Sequence, residues 1–314
     1  MTVRIFASAV REDVPLVYDP ATELTHTPNR PVAIGRVLLD DAEVALWPTI
    51  TQREVHTRIP FNVCWSALVR CNLQCPHCLD DKNLPERGNH QGIAQLLADS
   101  DVLGNDISGG EPLLLRSLTE LLHTLGSRGA AVSCTTNGWH LERRAPELAP
   151  VVDAVRVSFD GPDAAAHDHW RGRGSFQRAV AGVRAAVSCG IPVQLHGVLM
   201  QSTAHRAQSL IDLAAELGAV GVTFLQMLPI GEGVHLADAE MVSDANARRT
   251  VASLNWPDGL RVRLRTREVA DGFTVIRADG QVYHNVRGAT DIEATRPLRT
   301  VTDLELPLNE GALR

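Results

Sequence analysis

From residue 61 onward the chain alternates between short apolar runs and longer stretches whose apolar residues recur at helical spacing. FNVCWSALV, DVLGNDISGG, AAVSCTTNG, DAVRVSFDG, IPVQLHGVLM and VGVTFLQMLPIGEG read as strands. Between them GIAQLLADS, LLLRSLTELLHTLGSRG, ERRAPELAP, SFQRAVAGVRAAVSCG and HRAQSLIDLAAELGA read as helices, the second stopped by a glycine. Six strands separated by helices are the pattern of an α/β protein with a parallel sheet or barrel, because parallel neighbours need a crossover connection. In such folds the chemistry collects at the C-terminal ends of the strands.

The flanks obey other rules. In residues 1–60, VRIFASAV, VPLVY and PVAIGRVLLDDAEVALW carry β-branched runs, and DDAE suits a hairpin turn. A small β-rich N-terminal unit is expected there, either bracing the α/β region or receiving a peptide by strand addition. After residue 234 the alternation stops. A helix-like stretch over residues 238–254 precedes RVRLRT and FTVIRADGQVYHN, the latter a hairpin with a DG turn. The expected organisation is therefore residues 1–60, 61–234 and 235–314.

Composition narrows the class. The 314 residues are 44% hydrophobic and 21% charged, ordinary for a globular protein with a sizeable core. A net charge of −7 offers no electrostatic footprint for nucleic acid. No apolar run approaches the roughly 20 residues of a membrane span, and the N-terminus lacks the pattern of a secretion signal. A cytoplasmic location is expected.

Three of the six cysteines fall together in RCNLQCPHCLD, as Cys71, Cys75 and Cys78, in the loop after the first strand. Thiolates at this spacing can wrap one face of an iron–sulfur cluster, which normally takes four ligands; with three, one iron stays open. A structural zinc site completed by His77 or a distant histidine is the alternative. Further motifs stand at the later strand ends: SGGEP after the second, TTNG after the third, SFDG after the fourth, DAAAHDHWRGRGSF over residues 163–176, and LPIGEG after the sixth. As an ordered set spanning residues 61–233, they resemble the radical S-adenosylmethionine (radical SAM) superfamily. The run over residues 163–176 is similar to the branch of peptide-modifying and cofactor-building enzymes.

The resemblance implies a partial (β/α)6 TIM-like barrel and a single 4Fe–4S cluster on Cys71, Cys75 and Cys78. SAM would bind the open iron through its amino and carboxylate groups, and an electron through the cluster would cleave its sulfonium bond. The 5′-deoxyadenosyl radical would then abstract a hydrogen atom from substrate in a mouth closed to solvent. Gly109, Gly110 and Glu111 are implied to hold the SAM amino group, the glycines by close backbone approach and the glutamate by charge. Asn137 of TTNG, Ser158 and Asp160 are implied SAM contacts. Arg171 is either a guanidinium for the SAM carboxylate or a surface ion pair. His167 and Asp168 are expected to cap their loop. His196 either touches the nucleoside or substrate or is an interior histidine, and Met227 with Leu228 either lines the adenine pocket or packs in the core.

Of the remaining cysteines, Cys134 shares strand parity with Thr136 and is the first candidate hydrogen-atom donor, with Cys64 behind it. Buried cysteine is otherwise a small hydrophobe, and Cys189 on a helix is expected to be one. Many relatives carry further cysteines after the barrel for auxiliary clusters. Here none occurs after Cys189, although TRPLRTVTDLELPL looks like the short helix of that SPASM/twitch-type extension. A degenerate, cluster-free extension is implied, which favours redox-neutral outcomes over those needing a second cluster. The implied substrate is a peptide or a small natural-product or cofactor intermediate, with a reductant such as flavodoxin or ferredoxin, and no nucleic-acid or membrane partner. A sugar or aminoglycoside-type epimerase or dehydrogenase is a second reading, and an iron–sulfur sensor or inactive binding protein on the same fold a third.

Overall fold

The computed structural model describes residues 3–79, 81–266, 273–284 and 295–306. Its centre is a mostly parallel sheet. The predicted strands appear as β5 (Asn62–Ser66), β6 (Gly104–Ser108), β7 (Ala131–Thr136), β8 (Ala154–Ser158), β9 (Val193–Leu199) and β10 (Gly221–Gln226), each paired in parallel with the next. Helices connect them: His90–Ala98, Leu118–Gly126, Leu141–Leu148, Ser175–Ser188 and Ala207–Glu216. Their apolar stripes pack on the outward residues of the strands, such as Val63, Ile107, Val132, Val155, Leu195 and Val222, to form the main core. This is the α/β architecture expected of a partial barrel.

The sheet continues past both predicted ends. β11 (Arg261–Arg265), formed by RVRLR, pairs in parallel with β10. At the other edge β12 (Thr274–Ile276) pairs in parallel with β5 and turns through Gly280, at φ +77°, into β13 (Gln281–His284). β14 (Thr295–Pro297) comes next, giving, among the described residues, ten strands in the order β11-β10-β9-β8-β7-β6-β5-β12-β13-β14. The expected hairpin at the DG turn is therefore present. It extends the sheet beyond β5, and the short helix expected in TRPLRTVTDLELPL follows as a single 3-10 turn, Val301–Leu304, capped by Thr300 and Asp303. Residues 267–272, 285–294 and 307–314 of the expected extension lie outside the described residues. The helix expected over residues 238–254 is broken: Met241 leaves the helical region with ψ 129°, and Ser243 caps a new helix, Asp244–Ala252, by accepting from Asn246 N.

The first residues form an antiparallel sheet in the order β3-β2-β1-β4, from β1 (Val3–Arg11), β2 (Val14–Tyr18), β3 (Thr25–His26) and β4 (Gly35–Asp40). The DDAE segment does not make a hairpin turn. Asp40 accepts from Ala42 N and starts the helix Asp41–Ala45, as an aspartate N-cap does. One face of this sheet packs Ala7, Ala9, Leu16 and Tyr18 against Phe61, Leu103 and Ala131, beside the first residues of β5, β6 and β7. The unit thus closes the N-terminal end of the parallel strands. Gly104 is needed at this junction, since a Cβ there would lie 2.1 Å from the Tyr18 ring.

The turn over residues 19–24 enters the concave side of the parallel sheet. Arg156, fully buried on β8, donates to Pro20 O at 2.7 Å and to Asp106 Oδ1 at 2.6 Å. Glu23, held at φ +57°, reaches Arg265 Nη1 on β11 at 2.8 Å. The base of the turn is fixed by Arg4, which lies between Asp19 and Asp41.

Candidate active site

The cysteine loop leaves β5 and is gripped from two sides. On the first, Gly110 N donates to Leu68 O at 2.7 Å and Glu111 N to Arg70 O at 2.9 Å. The contact leaves no room for side chains. A Cβ on Gly110 would stand 2.2 Å from Arg70 O, and Gly109 adopts φ +122° with Leu68 O 2.5 Å from where its Cβ would be. On the second side, Glu232 N donates to Cys78 O at 2.9 Å, and Gly231 lies so close that its Cβ would be 2.7 Å from the same oxygen. The SGGEP and LPIGEG motifs therefore shape the loop. Gly110→Ala is expected to lower bound iron per chain several-fold with little change in helix content, as measured by iron analysis beside circular dichroism.

Within the loop none of the three cysteines is in a disulfide, Cys71 being exposed and Cys75 and Cys78 partly buried. Burial pushes the Cys71 and Cys75 thiols up, and Arg171 beside Cys75 works in the opposite direction. Among the described residues no three His, Cys, Asp or Glu side chains converge on one metal-ion position. A multi-iron cluster does not ask for that, since each thiolate holds a different iron. The donor set of three thiolates beside a guanidinium suits an anionic cluster, and soft thiolates are the ligands iron–sulfur clusters take.

Asp160, just past β8, organises the other rim. Its Oδ2 accepts from His77 Nε2 at 3.0 Å and from Arg171 Nε, and its Oδ1 from Val198 N at 3.0 Å. Burial opposes its charge, but Arg171 and His77 outweigh it and hold the carboxyl far below the usual carboxylate range. His77, between Cys75 and Cys78, is thus tied to the barrel, with Trp170 edge-on at 5.6 Å. Because the folded-state pKa is depressed, Asp160 stabilises the fold fully above its unfolded value of about 3.9, and that contribution is lost as pH falls below it. Asp160→Asn is expected to cost roughly 2–4 kcal/mol at pH 7. The gap to wild type should narrow below about pH 4 in urea titrations; a gap independent of pH would refute the pairing.

Among the other motif residues, Glu111 is surrounded by protein donors, whereas Asp168 caps as expected. The Glu111 carboxylate, expected to face an ammonium, is fully buried and accepts from Leu113 N at 3.0 Å, Thr136 Oγ1 at 2.6 Å and Asn137 N at 2.8 Å. It fastens the SGGEP turn to the TTNG turn. Asn137 reaches the cysteine loop, donating to Asn72 Oδ1 at 2.9 Å with Cys71 Sγ 3.7 Å away. Asp168 accepts from Gly174 N, Ser175 Oγ and Phe176 N, capping the helix Ser175–Ser188. His167 Nδ1 lies 3.4 Å from Asp160 N. Met227 is buried against Trp170 and Met200.

The placement of Cys134 corrects its candidacy as a hydrogen-atom donor. It is fully buried in the core between sheet and helices, on the outward face of β7. Its neighbours Ser133 and Thr135 are the inward residues, both donating to Asp106. Strand alternation sends every second side chain to one face, and Thr136, at the edge of the strand, is a poor guide to which. Cys64 on β5 is the inward thiol, with Sγ 3.1 Å from Ser108 Oγ. The inward face also holds Arg156, Ser158, His196 and, from β11, Arg263 and Arg265. The three arginines were not among the residues expected at the site. Their signal in the sequence is the alternation of RVRLR and the arginine inside DAVRVSFDG.

Comparison with known proteins gives the same direction. The family described as Radical SAM superfamily matches residues 65–214. The chain is 27% identical over 203 residues to the AdoMet-dependent heme synthase of Nitratidesulfovibrio vulgaris, covering 62% of this chain and 54% of that protein. It is 30% identical over 209 residues to the enzyme of the same name from Methanosarcina barkeri, covering 64% and 58%. With the PqqA peptide cyclase of Methylocella silvestris the figures are 29% over 224 residues, 68% and 58%. The chain thus spans a little over half the length of the curated relatives it matches. Among solved structures, Streptococcus suis SuiB bound to precursor peptide SuiA superposes with a TM-score of 0.65 at 11% identity, covering 96% of this chain and 87% of that one. The protein anSMEcpe with bound AdoMet gives 0.56 at 18% identity, covering 74% and 79%. These two establish likeness of fold.

Proposed function

The chain belongs to the radical SAM superfamily, and on that premise we propose that it is an enzyme that abstracts a hydrogen atom from a peptide or small-molecule substrate. Cys71, Cys75 and Cys78 would hold one 4Fe–4S cluster. When bound, that cluster supplies an open iron for SAM and the electron that cleaves its C5′–S bond to a 5′-deoxyadenosyl radical. The protein's own residues do the rest. The SGGEP and LPIGEG turns fix the loop that carries the thiolates. Asn137 bridges to the same loop, and Arg171 lies near both Cys75 and Cys78, where its charge favours anionic ligands and a carboxylate alike. Asp160 orients Arg171 and His77 together. The N-terminal sheet shuts the far end of the strands, so solvent and substrate reach the inward face from the cysteine side.

The observation that carries this reading is the double grip on the cysteine loop by two motifs more than a hundred residues apart in sequence. Peptide substrates are supported by the relative named a peptide cyclase and by the fold shared with a precursor-peptide complex. A low-potential one-electron donor of the flavodoxin or ferredoxin kind would supply the electron. No helix among the described residues is long and apolar enough to cross a membrane. The test is anaerobic reconstitution with iron and sulfide, then addition of dithionite and SAM, with 5′-deoxyadenosine read by chromatography. Its formation is the expected result; an intact cluster that yields none would instead identify a sensor or binding protein.

A further inference from the structure

The inward wall on the β9–β11 side carries charge that SAM cleavage does not use. Strand register sets Ser158, His196, Thr223 and Arg263 in one row across β8, β9, β10 and β11. Arg265 stands one pleat nearer the rim, beside Leu225. Glu23 enters this wall from the plugging turn, 2.8 Å from Arg265, 3.4 Å from Arg263 and 3.7 Å from Arg156. Among the described residues the cluster sets three guanidiniums, Arg156, Arg263 and Arg265, against two carboxylates, Glu23 and Asp106. One positive charge is in surplus.

Three further observations show that the surplus is not absorbed internally. Burial, together with the neighbouring Arg265, pulls Arg263 down to about 10. His196 is only 6% exposed, lies within reach of the charges of Arg156, Glu23, Arg263 and Arg265, and its Nε2 has no hydrogen-bond partner. Burial and Arg156 keep that ring neutral, so it can present a single N–H. Yet Arg263 and Arg265 keep 22% and 24% of their side-chain surface exposed, so the inward space reaches them. The Phe273 ring, 5.2 Å from the Arg265 guanidinium, steadies its plane.

We propose that this wall is a subsite for one carboxylate of the substrate, received by Arg265 and Arg263 with His196 Nε2 as a further donor. The assignment deepens the proposed radical SAM function and rests on it for the identity of the ligand as substrate. A carboxylate brings the single negative charge that balances the cluster, and its two oxygens match the fork of a guanidinium. A phosphate monoester brings nearly two charges and would turn the surplus into a deficit. The substrate is therefore an acid: a peptide with an acidic side chain or free C-terminus, or a small carboxylic acid.

The experiment titrates the reconstituted full chain with carboxyl-labelled butyrate, read by the carbon-13 resonance, with no SAM turnover involved. Saturable binding in the range of about 1–10 mM is expected, as one ion contact gives. Arg265→Gln should weaken it at least about tenfold, and Arg265→Lys, which keeps charge but loses the fork, should fall between. Arg30→Gln, removing an exposed guanidinium paired to Glu43, controls for net charge and should bind as wild type does. Equal binding by butyramide, unchanged binding in Arg265→Gln, or no saturation by about 100 mM would overturn the subsite. Displacement of butyrate by inorganic phosphate at tenfold lower concentration would overturn the choice of carboxylate. If Arg265→Gln unfolds, Arg265→Lys against Arg30→Gln decides. Butyrate binding without 5′-deoxyadenosine formation would remove the proposed function and leave the anion site; the reverse would remove only the site.

Discussion

Replacing Cys75 with alanine is expected to give a folded, colourless protein that forms no 5′-deoxyadenosine above background, and Cys71→Ala and Cys78→Ala should behave the same way. The loss should be complete because each thiolate would hold its own iron, and a cluster left with two protein ligands in a solvent-facing loop has little to retain it. The fold should survive, because the loop's shape comes from backbone contacts to Gly110, Glu111 and Glu232 rather than from the thiols. Iron and sulfide analysis, visible absorbance and product chromatography together make the check. A Cys75→Ala protein that keeps a full cluster and turns over SAM would show that the ligands are misassigned. Cys64→Ala is the useful contrast, since its thiol faces inward on β5 and lies against Ser108 and Asp106; its cluster content should match wild type.

The largest effect on stability should come from Arg156→Met. The guanidinium is completely buried and supplies the charge partner of Asp106, a donor to Ser133 Oγ and the bond to Pro20 O. Methionine fills much of the volume but leaves Asp106 buried at 3% exposure without its cation. Breaking a buried pair from one side costs roughly 3–5 kcal/mol, which corresponds to about 5–10 °C in melting temperature at this chain length. Adding Asp106→Leu should return part of that loss, since removing both partners abolishes the uncompensated charge. Urea unfolding monitored by far-ultraviolet circular dichroism measures both. A loss below about 1 kcal/mol in the single variant would mean that Asp106 is neutral in the fold, its ionisation suppressed by burial.

The parallel sheet could be read from sequence because both of its signals are local. Buried strands flanked by helices write continuous apolar runs, and glycine-bearing turns mark where they end. Cys71, Cys75 and Cys78 were legible for the same reason, lying within eight residues of one another. The surroundings of Glu111 and Cys134 were not. Whether a carboxylate faces a ligand or three backbone and hydroxyl donors depends on where the TTNG turn folds back, a contact 25 residues away. The parity of Cys134 turned on which side of β7 carries the helices, and its final threonine, Thr136, bonds to Glu111 from the outward set. β11 was missed as part of the barrel sheet because alternating arginines resemble an exposed edge strand. Their carboxylate partner, Glu23, is supplied from the N-terminal unit, more than two hundred residues earlier.

That same separation imposes an order on how the molecule comes together. Glu23 leaves the ribosome 242 residues before Arg265, its partner across the inner wall. Until β11 has been made, Glu23 faces Arg156 alone of the three guanidiniums around it, although its backbone is already tied to Asp19. The N-terminal sheet can form early, since β1 and β2 are joined by a tight turn, and its apolar face meets Phe61, Leu103 and Ala131 beside β5–β7, but the Glu23 contacts to Arg263 and Arg265 must wait for β11. Contacts of such long range are slow to form and close late. The inner wall is therefore completed only after β11 is in place, later than the β5–β7 part of the sheet against which the N-terminal unit packs.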